Sequence, residues 1–282
     1  CSITYFCLDR DQEYFRDLPR KAVVRVPDSF AHPVSNIGWH LGALPLMMKK
    51  LGMNALLLPA GNRRLAPFSN VDTTVVVHDL NQLVVDGKYD ALRTVYVKKF
   101  VFRGITHART VVAVSQQTAT QLRQLGVPPS RITVIPNGVD RERFEGQPRD
   151  AIEDTLQRLG LQEGYLFYVS RIEHPGKNHA TLLAAYAALK ARREIQGASP
   201  PPTLVFAGQD WNGAEHVHQR ARELGLEDDV HFLGFVEDAD LPRLYAGAGA
   251  FVFPSLAEGF GLPLLEAMAA NTPVLCSNRP PM

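Results

Sequence analysis

The sequence is poor in cysteine. Cys1, Cys7 and Cys276 are its three, and they form no Cys-x-x-Cys pair. So few thiols cannot build a disulfide framework, and a reducing, cytoplasmic setting is the simpler reading. An excess of one charge is also lacking: 30 lysines and arginines face 29 aspartates and glutamates, a formal net charge of +1. That excludes the basic footprint of a nucleic-acid binder, since cations cluster only in pairs such as Lys98-Lys99 and Arg192-Arg193. No apolar run approaches the ~20 residues that span a bilayer, and no signal-peptide pattern is visible. Nor does a Gly-x-Gly-x-x-Gly with a downstream acidic residue follow a strand, which disfavours a Rossmann dehydrogenase.

What is present is ordinary globular composition, 282 residues with 45% hydrophobic and 21% charged. That length suits two domains of about 100–150 residues each. In the second half, short apolar runs recur at Tyr165–Ser170, Leu204–Gly208, Val230–Leu233, Ala250–Pro254 and Val274–Cys276. Helical spacing fills the gaps at His179–Ile195, Ala214–Leu224, Leu241–Ala248 and Pro263–Ala270. Buried strands alternating with amphipathic helices predict βαβ units and a parallel sheet. The first half alternates less cleanly. Its candidate strands are Ile3–Leu8, Ala22–Val26, Ala55–Leu58, Thr74–Val77, Thr110–Val114 and Ile132–Ile135; its candidate helices are Trp39–Leu51, Tyr89–Ile105 and Gln116–Leu125. The turn Asn137-Gly138-Val139-Asp140 and the polar stretch Arg141 to Asp150 mark a boundary. The expectation is an α/β protein of two Rossmann-like doubly wound domains, 1–143 and 144–282, facing one another across a cleft. The opening inside a strand at Cys1 and the stop at Met282 after another read as a fold lacking part of each end.

Ligands of such sheets bind beyond the carboxyl ends of the strands, so loops just after strands are the informative ones. The first is Arg171-Ile172-Glu173-His174-Pro175-Gly176-Lys177-Asn178. Asn178 is expected to N-cap the following helix, which sets Arg171 and Lys177 around its positive end. The pair reads either as a diphosphate clamp or as two solvated cations flanking a Pro-Gly turn. The second loop is Glu258-Gly259-Phe260-Gly261-Leu262-Pro263-Leu264-Leu265-Glu266. Pro263 suits a first helical turn, and glycines let backbone N–H groups approach a phosphate or sugar. Carboxylates repel phosphate but accept bonds from sugar hydroxyls, so Glu258 and Glu266 either hold two polyols or merely stand exposed and dipole-stabilising.

The stretch from Glu258 to Glu266, with Ala-Met-Ala after it, resembles the signature of retaining GT-B glycosyltransferases of the group-1 or family-4 type. Similarity continues through Tyr168-Val-Ser-Arg171 to Lys177-Asn-His-Ala-Thr-Leu-Leu, and at Ile135-Pro136-Asn137-Gly138-Val139-Asp140. It is weaker at Val77-His78-Asp79-Leu80, Ala113-Val114-Ser115 and Leu233-Gly234-Phe235-Val236. The resemblance implies that Arg171 and Lys177 neutralise a donor diphosphate and that Glu266 binds ribose hydroxyls. Glu258, with the N–H groups of Phe260, Gly261 and Leu262, would hold the transferred sugar, or the sugar and the diphosphate together. The Phe235-Val236 backbone and the loop after Gly208 would border the base. His78 would meet the donor sugar as a neutral hydrogen-bond partner, or else simply pack in a turn where Asp79 caps a helix.

The implied function is transfer of a hexosyl unit, mannose or glucose, from a nucleotide sugar to an acceptor hydroxyl with retention. No cofactor and no metal is expected to be required. The acceptor implied is a sugar or a lipid-linked glycan, which would fit peripheral contact with the inner membrane face, though no markedly basic amphipathic helix supports that. Alternatives on the same fold are an epimerase, a phosphorylase, or a chain that binds nucleotide sugar without turning it over. The family's first glycine-rich loop is not recognisable, and Asn271 stands where glycine often ends the Glu266 helix. Asp9-Arg10-Asp11 and Asp238-Ala239-Asp240 match an Asp-x-Asp pattern but read as surface charge. His216 and His218 sit on different faces of one helix and make no metal site. Trp211 either borders the base or covers the sheet edge.

Overall fold

The computed structural model describes residues 2–61, 71–80 and 101–282. They form a mixed α/β chain in which all the strand pairs given a register are parallel. The described residues divide into two compact units. The first takes residues up to 78, with 101–113 and 121–133; the second takes 79–80, 114–120 and 134–282.

In the first unit β1 (Tyr5–Leu8) pairs with β2 (Val23–Val26). A four-stranded sheet follows in the order β3 (Ala55–Leu58), β4 (Asp72–Val77), β5 (Thr110–Ala113) and β6 (Ile132–Val134). β-branched residues dominate the central strands, and Val75, Val77, Val111 and Ala113 are fully buried. The expected helix Trp39–Leu51 begins earlier, at Pro33, and passes through a π turn at Trp39–Ala43 before ending at Lys50. The expected helix Tyr89–Ile105 is described only from 101 onward, where Phe102–His107 is helical; the rest lies outside the described residues.

The second unit carries a five-stranded sheet: β7 (Leu166–Val169), β8 (Leu204–Ala207), β9 (Val230–Phe232), β10 (Ala250–Phe253) and β11 (Val274–Cys276). Their spatial order is β11-β10-β7-β8-β9. The strands are read through by bulky apolar residues because both faces are covered, and Phe167, Tyr168, Phe206, Phe251 and Phe253 are all at most 1% exposed. Aromatic rings meet edge to face across this core, as Phe167 and Tyr245 do at 5.3 Å and 81°. A buried phenol still needs a partner. Tyr165 finds the Leu244 carbonyl at 2.6 Å, and Tyr168 the Lys177 carbonyl at 2.7 Å.

The stretch read as a polar boundary is helical in two pieces, Arg141–Phe144 and Arg149–Arg158. Asp140 N-caps the first, its Oδ1 accepting the Arg143 N–H at 3.2 Å. Ile152, Thr155 and Leu156 bury one stripe of the second, an amphipathic spacing that its charged face hides in composition. No helix among the described residues is long and apolar enough to cross a membrane.

Candidate functional site

Doubly wound sheets take ligands where the strand order reverses, and the second unit has such a reversal. From β7 the chain steps outward through β8 to β9, then returns past β7 to β10 and on to β11. The loops beyond β7 and β10 therefore leave in opposite directions, and the crevice of a doubly wound sheet opens at that reversal. Loops 171–178 and 254–261 are those two loops.

The backbone ties them together. Leu256 N–H donates to the Gly176 carbonyl at 3.0 Å. Asn178 Nδ2 donates to the Pro254 carbonyl at 3.1 Å. Asn178 holds the N-cap position of the helix His179–Ile195 but does not cap it with its side chain as expected: its backbone is left-handed at φ 63°, and its side chain makes no capping bond. A capping side chain needs the extended backbone of an N-cap residue to reach back to the first turn, and the left-handed turn sends the amide to the neighbouring loop instead.

At the junction Lys177 Nζ lies 2.6 Å from Glu258 Oε1, with side-chain exposures of only 18% and 13%. The buried Ser255 hydroxyl donates to the same carboxylate oxygen at 2.6 Å. From below, Tyr168 holds the Lys177 backbone. A cation and a carboxylate are thus fixed side by side where the two loops meet. One can meet phosphate and the other hydroxyls.

Arg171, at the other end of its loop, has different partners. Its Nη2 is 3.1 Å from Glu173 Oε2, and its guanidinium lies 5.1 Å from the centre of the Trp211 ring. Glu173 is buried beneath it. His179 braces the loop from the core, with Nδ1 3.2 Å from the Glu173 carbonyl and Nε2 3.3 Å from Ser170 Oγ. Burial pushes this imidazole down to about 4, so it stands neutral against the Tyr168 ring.

Gly208 shows why glycine follows β8. Its φ is +143°, and a Cβ there would lie 1.9 Å from the Ser170 carbonyl oxygen. Its N–H donates to the Gly234 carbonyl at 2.7 Å, so the loops after β7, β8 and β9 converge on it. Next along the last of these loops, Phe235 is exposed and Val236 packs partly against the core.

Glu266 sits one turn into the helix Leu262–Ala269 and accepts the Tyr245 hydroxyl at 2.9 Å on Oε2. Burial raises its pKa, outweighing the Tyr245 bond and the nearby Arg143 cation, with Asp238 adding to the rise. Arg143 is itself held by the Asp238 carbonyl at 2.8 Å. Between the two glutamates the chain turns at Gly261, whose φ of +94° opens the helix. The Gly259 carbonyl there accepts Ser115 Oγ at 2.6 Å and Thr118 Oγ1 at 3.2 Å.

His78 belongs to the first unit, just after β4, where its Nε2 is 2.7 Å from the Pro59 carbonyl. The structure thus brings Lys177 and Glu258 into contact, seats Glu266 on Tyr245, and gives Arg171 and His78 separate neighbours. Sequence reasoning missed Ser255, Tyr245, Arg143 and Thr118, and it marked Ser115 within Ala113-Val114-Ser115 without giving it a role. The one usable signal was tyrosine within an apolar helix or strand, because a buried phenol must reach a polar partner. Among the described residues no cluster of His, Cys, Asp or Glu could hold a metal ion. Asp240 pairs with Arg158 at 2.7 Å, His218 with Asp210 at 3.0 Å, and the His216 ring packs on His174.

Comparison with known proteins accounts for nearly the whole chain. The Glycosyltransferase Family 4 profile matches residues 1–143, and that of Glycosyl transferases group 1 matches residues 153–282. An O-antigen chain mannosyltransferase B of Escherichia coli is 31% identical over 204 residues, covering 71% of this chain and 51% of that protein. A D-inositol 3-phosphate glycosyltransferase of Catenulispora acidiphila is 34% identical over 172 residues, covering 60% and 40%. The chain thus spans about half the length of the curated relatives it matches. Among solved structures, HepE of Anabaena, crystallised with UDP and glucose, superposes with a TM-score of 0.67 at 23% identity, covering 91% of this chain and 67% of that one.

Proposed function

The chain belongs to the group-1, family-4 glycosyltransferases with the GT-B fold, and from that premise we propose a nucleotide-sugar-dependent hexosyl transfer. The observation that carries this reading is the Lys177–Glu258 contact at the point where the sheet reverses. The diphosphate of the donor lies against Lys177, with Arg171 reaching it from the far end of the same loop. Glu258 and the N–H groups of Phe260, Gly261 and Leu262 hold the sugar. Glu266 receives the ribose hydroxyls, and the base lies by Phe235, Val236 and the loop after Gly208.

The sugar is mannose or glucose, as the relatives named for mannosyl transfer and the HepE complex with UDP and glucose suggest. The bond from the anomeric carbon to the diphosphate breaks, and the acceptor oxygen bonds to that carbon on the same face. The acceptor proton passes to the departing phosphate oxygen, so configuration is retained without a protein nucleophile. Positive charge at Lys177 and Arg171 stabilises the leaving diphosphate, and catalysis is positioning plus charge stabilisation. No metal is required for this step. The acceptor is a glycan hydroxyl, free or lipid-linked, and a lipid-linked one would bring the protein to the inner membrane face.

A thermal-shift screen against UDP, GDP, ADP and their sugar conjugates tests the donor site. A ligand at ~100 times its dissociation constant stabilises a fold by about 2.7 kcal/mol. One nucleotide should raise the midpoint, and Arg171→Ala and Glu266→Ala should each abolish the rise. A folded chain that responds to none of them refutes the donor site. Proton NMR of the product's anomeric signal then reads retention; binding without product would instead favour a non-transferring nucleotide-sugar protein.

A further inference from the structure

Residues Ser115 and Thr118 lie 144 and 141 positions before Gly259 in the chain, yet both point hydroxyls at its carbonyl. All three belong to the second unit, whose segment 114–120 comes from the first half of the sequence. Both hydroxyls are buried, with Ser115 6% and Thr118 0% exposed. Ser115 Oγ accepts the Thr118 N–H at 3.1 Å and stands 3.1 Å from Thr118 Oγ1. It thereby caps the helix Gln116–Gln124 while its own proton goes to Gly259 at 2.6 Å. Two hydrogen bonds from buried hydroxyls to one loop carbonyl are more than the cap requires.

The consequence follows from peptide geometry. The Gly259 carbonyl and the Phe260 N–H share one peptide group, which is not among the cis bonds of the chain. In a planar trans peptide these two groups point in opposite directions. Fixing the oxygen on Ser115 and Thr118 therefore fixes the Phe260 N–H on the other side. Among the described residues neither that N–H nor the Gly261 N–H has a protein acceptor. The preceding residue is Glu258, already held by Lys177 and Ser255. We propose that Ser115 and Thr118 are positioning residues that preset the Glu258–Leu262 turn, so that its amides face the diphosphate sugar before the sugar arrives. This inference rests on the donor reading and adds to it a control point 141 to 144 residues upstream, whose task is orientation and not contact with substrate.

The test compares affinity for UDP-glucose and GDP-mannose with affinity for UMP and GMP, which engage Glu266 without spanning the turn. Thr118→Val removes one hydroxyl with little change of shape, and Thr118→Ser restores it. Ser115→Asp keeps a helix cap but removes the proton donor. Losing a neutral hydrogen bond here should weaken sugar-nucleotide binding about five- to tenfold and leave monophosphate binding within about twofold. Thr118→Ser should recover affinity. Equal weakening of both ligand classes, or no change in either, overturns the proposal, and Thr118→Val alone decides it should Ser115→Asp not fold. If the unaltered chain binds none of the four nucleotides, the donor reading falls and takes this one with it. If the unaltered chain binds, Lys177→Ala does not, and both clamp variants bind normally, only the clamp falls.

Discussion

Glu258 and Glu266 are eight positions apart, yet the structure treats their carboxylates in opposite ways. Glu258 stands against a lysine at 2.6 Å and accepts a serine hydroxyl. Glu266 accepts one phenol at 2.9 Å and keeps a raised pKa because burial outweighs what Tyr245 and Arg143 return. One end of the stretch is built around compensated charge, the other around desolvation. A paired charge is held in place at little electrostatic cost and can exchange partners with an arriving anion. An unpaired, partly buried carboxylate is a strong acceptor awaiting donors. On the proposed reading these are the needs of a diphosphate with its sugar, met by Lys177 and Glu258 together, and of a ribose. Each end rests on a buried tyrosine: Tyr168 under the Lys177 backbone, Tyr245 under Glu266.

The severest attack on this contrast is Lys177→Ala. It removes the cation proposed to meet the diphosphate and leaves Glu258 mostly covered beside Ser255 alone. The expected loss in transfer kcat/KM is on the order of 100- to 1,000-fold, as for deletion of a preorganised charge contact. Because the two groups touch, the double variant with Glu258→Gln should lose less than the product of the single losses. A Lys177→Ala loss below about tenfold would erase the distinction between the two ends.

A second contrast concerns acid. His179 braces the Arg171 loop as a neutral ring, with its pKa lowered to about 4 from 6.5. The unfolded chain takes up that proton first, so the stability this residue carries is full above about pH 6.5 and lost as pH falls toward 4. The size expected is about 3 kcal/mol, at 1.36 kcal/mol per unit. Urea unfolding at pH 7, 5 and 4 should show it, with a flatter profile in His179→Gln. Equal slopes for the two proteins would mean that the ring is not held neutral.

The contrast was only half legible in sequence. The eleven strands among the described residues stand within a residue or two of their apolar runs, because short Val, Leu and Phe stretches between Gly and Pro have few other ways to bury themselves. The loops of Arg171, Lys177 and Glu258 were visible for the same reason: they begin where such runs stop. Their partners were not. Ser115 meets Gly259 across 144 residues, and Tyr245 meets Glu266 from another helix, contacts that no local pattern encodes. Asn178 shows the reverse error. A good capping residue in a capping position went to Pro254 because tertiary contact outweighed local propensity. The helix Arg149–Arg158 was hidden by its charged face, although Ile152 and Leu156 are spaced to bury one side.

The mildest test, Glu266→Gln, is also the most specific to its own end. Glutamine keeps an oxygen for the Tyr245 hydroxyl but carries no charge to desolvate. Since the folded pKa of Glu266 is raised, the carboxylate costs the fold nothing in acid, and the penalty enters as pH rises through that value. The variant should therefore melt with the unaltered protein at pH 4 and above it at pH 8, the opposite lean to that of His179. Its affinity for the nucleotide should fall about five- to tenfold, the worth of a hydrogen bond to a charged acceptor replaced by one to an amide. Higher melting at neutral pH with weaker binding would show a group retained against stability for the sake of a ligand. Lower melting at both pH values would place Glu266 with Glu258 among the compensated charges, and the difference between the two ends would disappear.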